Sequence, residues 1–385
     1  MRITRIRLVN WKNFRDVEVE LGGRVFLIGP NASGKSNFLD AIRFLRDVAE
    51  SDLEKAVRKR GGISAIRCLA ARQNPDVTIA VTLDDIWEYE LTFRGKKNEA
   101  PEVVNERVHK KPDENNKPKR TMLLNRPDSY DREDPERLNS TALAQVNANK
   151  TFREIPDGFK TIAYRHILPQ ALRDPEGFSS VPVSNDPFGR DFVRQVWNTL
   201  PATRKSRLKK ISDALRIAVP QLHQLDVGMD QKTGVPHLTA IYQHWRLHGA
   251  RQSESEFSDG TLRLLALLWA LFEGQGPLLL EEPELSLHDN VIRPLPIIFP
   301  KMTRLRKRER GKSLFQLTPR CFYLMPELDL ARFYDWLPGI MELRFIQLGK
   351  KIANSCREGF RRLKFFFPRQ NLKTLISFLF LIYED

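Results

Sequence analysis

The octapeptide GPNASGKS, Gly29 to Ser36, restricts this chain more than any other stretch. It follows a short apolar run, Val25 to Ile28, and precedes the helix-spaced apolar residues Phe38, Ile42, Phe44 and Leu45. That is the strand, loop and helix setting which the G-x-x-x-x-G-K-[ST] pattern demands, and a chance Gly-rich turn does not come with it. The glycines let backbone N–H groups converge on phosphate oxygens, and the helix N-terminus adds positive partial charge. Lys35 is placed to neutralise β- and γ-phosphates, and Ser36 to offer a hydroxyl to Mg²⁺. The expected nucleotide cradle is therefore Gly29, Pro30, Asn31, Ala32, Ser33, Gly34, Lys35, Ser36 and Asn37, with ATP or GTP as ligand.

Upstream, apolar and charged residues alternate from Ile3 to Leu8 and from Val17 to Leu21, a half-buried strand pair turning around Asn10 to Phe14. Residues 77 to 93, VTIAVTLDDIWEYELTF, read as a second hairpin through Asp84-Asp85. Between Gly95 and Lys150 the composition turns to Lys, Asp, Glu, Asn and Pro, as in KKPDENNKPKR, so residues 95–150 are expected to be a mobile polar insertion. Phe188 to Pro220 reads as mostly helical, Thr239 to Trp245 as a strand and Leu262 to Phe272 as an apolar helix, giving a helical lobe over 188–272.

Leu278 to Leu280 leads as a buried strand into LLLEEPELSLH. Ligands collect at the carboxyl ends of parallel strands, and the strand period of two sends the side chains of Glu281 and Glu282 to opposite sides. Glu281 is assigned to the Mg²⁺ shell, through water, and Glu282 to the general base that polarises attacking water. Before this strand lies FSDGTLRLLALLWAL, where Ser258 can cap a helix and Gly260 lets backbone approach an anion.

The order of phosphate loop, SDGT helix and LLLEEPELSLH resembles the ABC-type ATPases of the RecF and SMC group, particularly small bacterial "AAA family" proteins. IRLVNWKNFRDVEVEL followed by FLIGPNASGKSNFLDAI is similar to the opening of that group, and SDGT stands where many members carry LSGG. The resemblance covers residues 1 to about 312. It implies an α/β P-loop NTPase head with a mixed sheet, an antiparallel β subdomain and a helical signature lobe, with ATP and Mg²⁺ as ligands. It further implies an ATP-dependent homodimer, in which Ser258 to Thr261 of one copy contacts the γ-phosphate held by Gly29 to Ser36 of the other. Leu285 to His288 matches the D-loop of that interface. A Q-loop glutamine is implied as well, and Gln73 and Gln170 are both candidates. The chain lacks a long heptad arm and a C-terminal nuclease-type acidic cluster, which argues against an SMC tether and a Toprim fusion.

In this group the strand after the acidic motif ends in a segment like STHSP, whose histidine senses the γ-phosphate. Here the corresponding stretch, Ser313 to Leu324, is SLFQLTPRCFYL, with only Thr318 as a polar candidate. Joining the last base of each codon to the first two of the next lets Lys312 to Leu330 read VFISTHSPVLLSDAGIGL, and Leu337 to Phe345 read PGNNGTEV. The expectation is a reading frame that slipped near Gly311 to Ser313. Residues 313–385 would then be foreign peptide, poorly ordered, leaving nucleotide binding in place, hydrolysis without its sensor and the sheet without its final strands. A divergent but selected C-terminal subdomain is the alternative.

Composition bears on partners and compartment. A net charge of +15 favours a polyanionic partner such as DNA, although an ordinary basic surface gives the same count, and a protein partner stays open. Cys68, Cys321 and Cys356 have no metal-ligand spacing, which fits a reducing compartment. With no long apolar run and no secretory signal in MRITRIRLVNWKNF, a cytoplasmic protein without membrane contact is expected.

Overall fold

The computed structural model describes residues 1–302 except 30, 72–74, 96–99, 112–119, 175–185, 217, 244–249, 275, 293–294, 296–297, 300 and 301, and beyond them only 321–325, 343–348 and 378–383. The chain divides into two compact units, one of Met1–Ile162 with Arg320–Asp385 and one of Ala163–Pro319.

In the first unit, alternation produces the strands it predicts. β1 (Ile3–Trp11) and β2 (Phe14–Glu20) pair antiparallel, with Leu8 opposite Val17 and Trp11 opposite Phe14. β3 (Arg24–Ile28) runs into the phosphate loop and α1 (Lys35–Glu50). α1 buries Phe38, Ile42, Phe44 and Leu45; Phe44 meets the edge of Trp11 at 5.1 Å and stacks on Phe93 at 5.3 Å. Each such buried side chain contributes roughly 1.5–3 kcal/mol, and together they fix the helix that begins at the loop. Two short helices follow, α2 (Leu53–Arg58), capped by the Asp52 carboxylate on the Lys55 N–H, and α3 (Ile63–Ile66).

β4 (Val77–Leu83) and β5 (Trp87–Arg94) form the expected hairpin, with Asp84 and Asp85 both at left-handed φ of 50° and 60°. Positive φ at both turn residues matches the twist of paired strands. β6 (Glu102–Lys110) and β7 (Thr121–Arg126) then extend an antiparallel sheet to the order β2-β1-β4-β5-β6-β7. This corrects the expectation of a mobile insertion over 95–150; 96–99 and 112–119, with most of KKPDENNKPKR, lie outside the described residues. What organises the segment is a buried ionic cluster. Glu106, fully buried, accepts hydrogen bonds from the backbone N–H groups of Ala142 and Leu143, from Tyr89 and from Arg126, and Arg126 also donates to Asp131. A composition rich in charge reads as unable to bury area, yet here the charges satisfy one another.

The second unit starts with β8 (Ala163–Arg165) and contains helices Pro169–Arg173, Phe192–Asn198 and Pro201–Leu215. The lobe over 188–272 is not wholly helical. It holds a three-stranded antiparallel sheet of β9 (Leu222–Met229), β10 (Pro236–Tyr242) and β11 (Ala250–Ser253), built on the alternating burial of Leu222, Leu225, Val227, Leu238 and Ala240. The expected strand Thr239 to Trp245 is thus displaced toward the N-terminus, and Trp245 lies outside the described residues. Helix Asp259–Ala270 is buried on nearly every side, as its continuous apolar run requires. β12 (Leu278–Leu280) is buried throughout and pairs parallel with β8, Leu279 beside Tyr164.

Three strands of the tail belong to the first unit: β13 (Cys321–Met325), β14 (Leu343–Leu348) and β15 (Phe378–Tyr383). β3 pairs parallel with β13 and antiparallel with β15, and β14 pairs antiparallel with β15, so the sheet around β3 is mixed. The sheet around β3 is thus flanked by tail segments, whether or not these are its normal final strands. An unpaired strand edge accepts any segment of high β-propensity, and CFYLM and FLFLIY are such segments whatever their origin. Of the stretch Ser313 to Leu324, residues 321–324 fall in β13, and 313–320, Thr318 among them, lie outside the described residues.

Candidate active site

In the first unit, the turn from β3 to α1 is shaped by Ala32 at φ 61° and Gly34 at φ 100°, the residue preceding the first turn of the helix. A Cβ on Gly34 would overlap the carboxamide of Asn13, whose Nδ2 donates to the Ser33 carbonyl at 3.2 Å. Asn37 donates to Asn13 Oδ1 at 2.8 Å, and its carbonyl accepts from the Trp11 indole at 2.8 Å. The loop is thus braced by the turn between β1 and β2. Lys35 Nζ donates to the Gly29 carbonyl at 2.6 Å, which keeps the ammonium folded against the loop. No side chain caps α1 and no acid occupies its first turn, while Ser33 is buried with its Oγ unmatched among the described residues. A helix N-terminus that opens at a glycine with no acid in its first turn, and an ammonium beside it, are features a bound phosphate calls for, so the cradle fits an anionic nucleotide. Pro30 lies outside the described residues.

In the second unit, β12 ends at Leu280 and the chain turns at once. The Glu281 N–H donates to the Arg165 carbonyl at 2.9 Å, and its carboxylate accepts a short hydrogen bond from Tyr164. Glu282 takes a left-handed φ of 47°, is half exposed, and brings its Oε2 to 3.6 Å from His166 Nε2. The two carboxylates meet different partners, Tyr164 and His166. A backbone turn separates them, since the strand has already ended. The Ser258 side chain accepts from the Thr261 N–H at 3.2 Å and caps helix Asp259–Ala270. Gly260 has no room for a Cβ, which would come to 2.8 Å from the Ser286 carbonyl. Arg173 donates to Asp259 and to the Phe257 carbonyl, and Arg263 donates to the Glu282 carbonyl at 2.6 Å. Burial pulls the Arg263 guanidinium below its ordinary value, against the opposing pull of Glu284 and Glu282.

Residues 24–312 match the protein family described as "AAA domain, putative AbiEii toxin, Type IV TA system". The chain belongs to this family. That membership agrees with the RecF/SMC-like ABC-type ATPase head expected from the motifs. Among curated relatives of this AAA-domain protein, the "DNA replication and repair protein RecF" of Brucella abortus (strain 2308) and that of Brucella suis biovar 1 (strain 1330) are each 39% identical over 66 residues, 15% of this chain. The match spans 17% of the length of those relatives. Among solved structures, an Smc head bound to the C-winged helix domain of ScpA is 16% identical, covering 85% of this chain and 90% of that one at a TM-score of 0.46. The Smc head of Pyrococcus furiosus, bound to the C-terminal domain of ScpA, is 12% identical, covering 84% and 89% at a TM-score of 0.42.

Within this AAA-domain protein, the sequence motifs fall on two local arrangements: Gly29, Asn31 to Asn37 with Asn13 in the first unit, and Ser258, Gly260, Glu281 and Glu282 in the second. Of the two Q-loop candidates, Gln170 is exposed on helix Pro169–Arg173 and Gln73 lies outside the described residues. Asn13, Tyr164, His166 and Arg263 escaped the sequence reading. Arg263 had a legible signal, a cation inside the apolar run TLRLLALLWAL. β8 is only three residues long, too short to announce Tyr164 or His166 by period. Among the described residues no helix is long and apolar enough to cross a membrane.

Proposed function

We propose that this chain binds ATP with Mg²⁺ and hydrolyses it as a head acting in DNA transactions: repair, chromosome maintenance or defence against foreign DNA. The observation that carries the proposal is the phosphate loop, with Lys35 folded onto Gly29 and the left-handed Gly34 opening an uncapped helix. Gly29 to Ser36 contact the phosphates, Lys35 neutralises them, and Ser258 and Gly260 of a second copy meet the γ-phosphate, which makes dimerisation depend on nucleotide. Ser36 and, through water, Glu281 would hold Mg²⁺; their hydroxyl and carboxylate oxygens are the hard donors that ion prefers. Glu282 accepts the proton of the attacking water. Its half-exposed carboxylate beside His166 supports that role.

The family match ends at residue 312, which supports the proposal that the frame slips just after it; without the sensor that would follow, turnover is weak while binding is intact. Substitution Glu282→Gln tests the reading. Hydrolysis is expected to vanish while ATP is retained, and unchanged turnover in Glu282→Gln would remove Glu282 from the mechanism.

A further inference from the structure

Arg263 stands inside the apolar helix Asp259–Ala270, between Leu262 and Leu264, with 0% of its surface exposed. An arginine on such a helix ordinarily lays its stem along apolar surface and keeps its guanidinium in water. Here Nη2 donates to the Glu282 carbonyl at 2.6 Å, while Nε and Nη1 find no hydrogen-bond partner among the described residues. Burying a cation with N–H groups unmet is costly, and the charges of Glu284 and Glu282 offset that cost only in part. Stability alone therefore does not account for this residue.

What Arg263 holds is an unusual piece of backbone. Glu282 sits at φ 47°, a conformation that non-glycine residues rarely adopt, and its carbonyl also accepts the Leu285 N–H at 3.1 Å. Strained backbone persists where surrounding structure over-determines it. The same helix meets the same turn again at its start, where Gly260 lies against the Ser286 carbonyl. The SDGT segment thus packs against the acidic turn at Gly260 and is bonded to it through Arg263, and Arg173 ties Asp259 and Phe257 to its own helix.

We infer that Arg263 is a positioning residue for Glu282: its guanidinium fixes the backbone turn that presents the Glu282 carboxylate beside His166, and so makes the aim of that carboxylate follow the position of Ser258 and Gly260. The inference rests on the reading of Glu282 as general base. Its consequence is that whatever displaces the SDGT segment also re-aims the base, and small misplacements of a catalytic group carry large losses of rate.

The test compares wild type, Arg263→Met and Arg263→Lys as full-length chains by amide deuterium exchange without nucleotide, and then by ATP turnover. In Arg263→Met, exchange across residues 282–288 is expected to rise about tenfold while α1 and helix Asp259–Ala270 keep their protection. kcat is expected to fall about tenfold with KM within about twofold. In Arg263→Lys, whose ammonium can still reach a carbonyl, exchange is expected to return to within about twofold of wild type. Unchanged exchange across 282–288 in Arg263→Met overturns the inference. So does loss of protection throughout the chain in both variants, which would make Arg263 a structural residue. The exchange arm needs no turnover. A wild-type chain that did not hydrolyse ATP would remove the general-base reading, and the clamp would still be judged on its own.

Discussion

A methyl group on Gly34 would overlap the Asn13 carboxamide and stand on a backbone with φ of 100°, so two penalties meet at one carbon. Gly34→Ala is expected to cost on the order of 1–3 kcal/mol, read as a lower urea midpoint, and to weaken ATP binding through the displaced loop. Asn13→Ala removes the bracing carboxamide without the strain, and is expected to weaken ATP binding with a smaller change in midpoint. At this scale the sequence singles out Lys35, Ser36, Glu281 and Glu282 as the residues to test, because phosphate and magnesium chemistry prescribes residue types at fixed spacing. Asn13 was not legible there. Its part depends on a turn in one hairpin meeting a loop that starts about fifteen residues later, and no local pattern encodes that meeting.

Helix α1 is anchored at its polar side by Asp40, which pairs with Lys12 at 2.7 Å and Arg60 at 2.9 Å, and by Asp47, which pairs with Arg60 at 2.9 Å. Burial alone would push both carboxyls up, but Arg60 and Lys12 on the one and Arg60, Arg46 and Lys59 on the other outweigh it and hold both below the usual range. A carboxyl depressed in the folded state contributes fully above its unfolded value, about 4, and loses that contribution as pH falls through the folded value. The urea midpoint of the wild type is accordingly expected to drop below about pH 4 more steeply than that of Asp40→Asn. The Glu106 cluster has the opposite sign. Burial raises its carboxyl, opposed by the Ala142 and Leu143 N–H groups and by Arg126. Arg126→Met strands Glu106 and Asp131 and is expected to cost about 3–5 kcal/mol in urea unfolding. Strands with clean alternation, β1, β2, β4 and β5, were readable from the sequence. β6 and β7 were not, since their burial pattern is broken by Glu106 and Arg126, charged residues whose partners lie elsewhere in the chain.

For the whole molecule, the charge of +15 enters as a salt effect. Contact with duplex DNA through Lys and Arg is expected to weaken steeply between about 50 and 200 mM salt, whereas a head acting on a protein partner alone would show no such duplex binding to lose. The tail is decided at the gene. DNA sequence across codons 305 to 325 is expected to permit VFISTHSP in the shifted frame, and incompatible codons would leave a divergent subdomain in its place. Because β13 and β15 pair with β3 through main-chain hydrogen bonds, which any extended segment can supply, the presence of those strands does not separate the two origins.

The central claim, that Gly29 to Ser36 hold the phosphates of ATP, is tested most directly by titrating ATP with Mg²⁺ into the wild-type chain and into Lys35→Ala. Binding is expected in the wild type, and a loss of about 10- to 100-fold in Lys35→Ala, the worth of a charged hydrogen bond. Equal affinity in the two proteins, or no binding in either, would contradict the account.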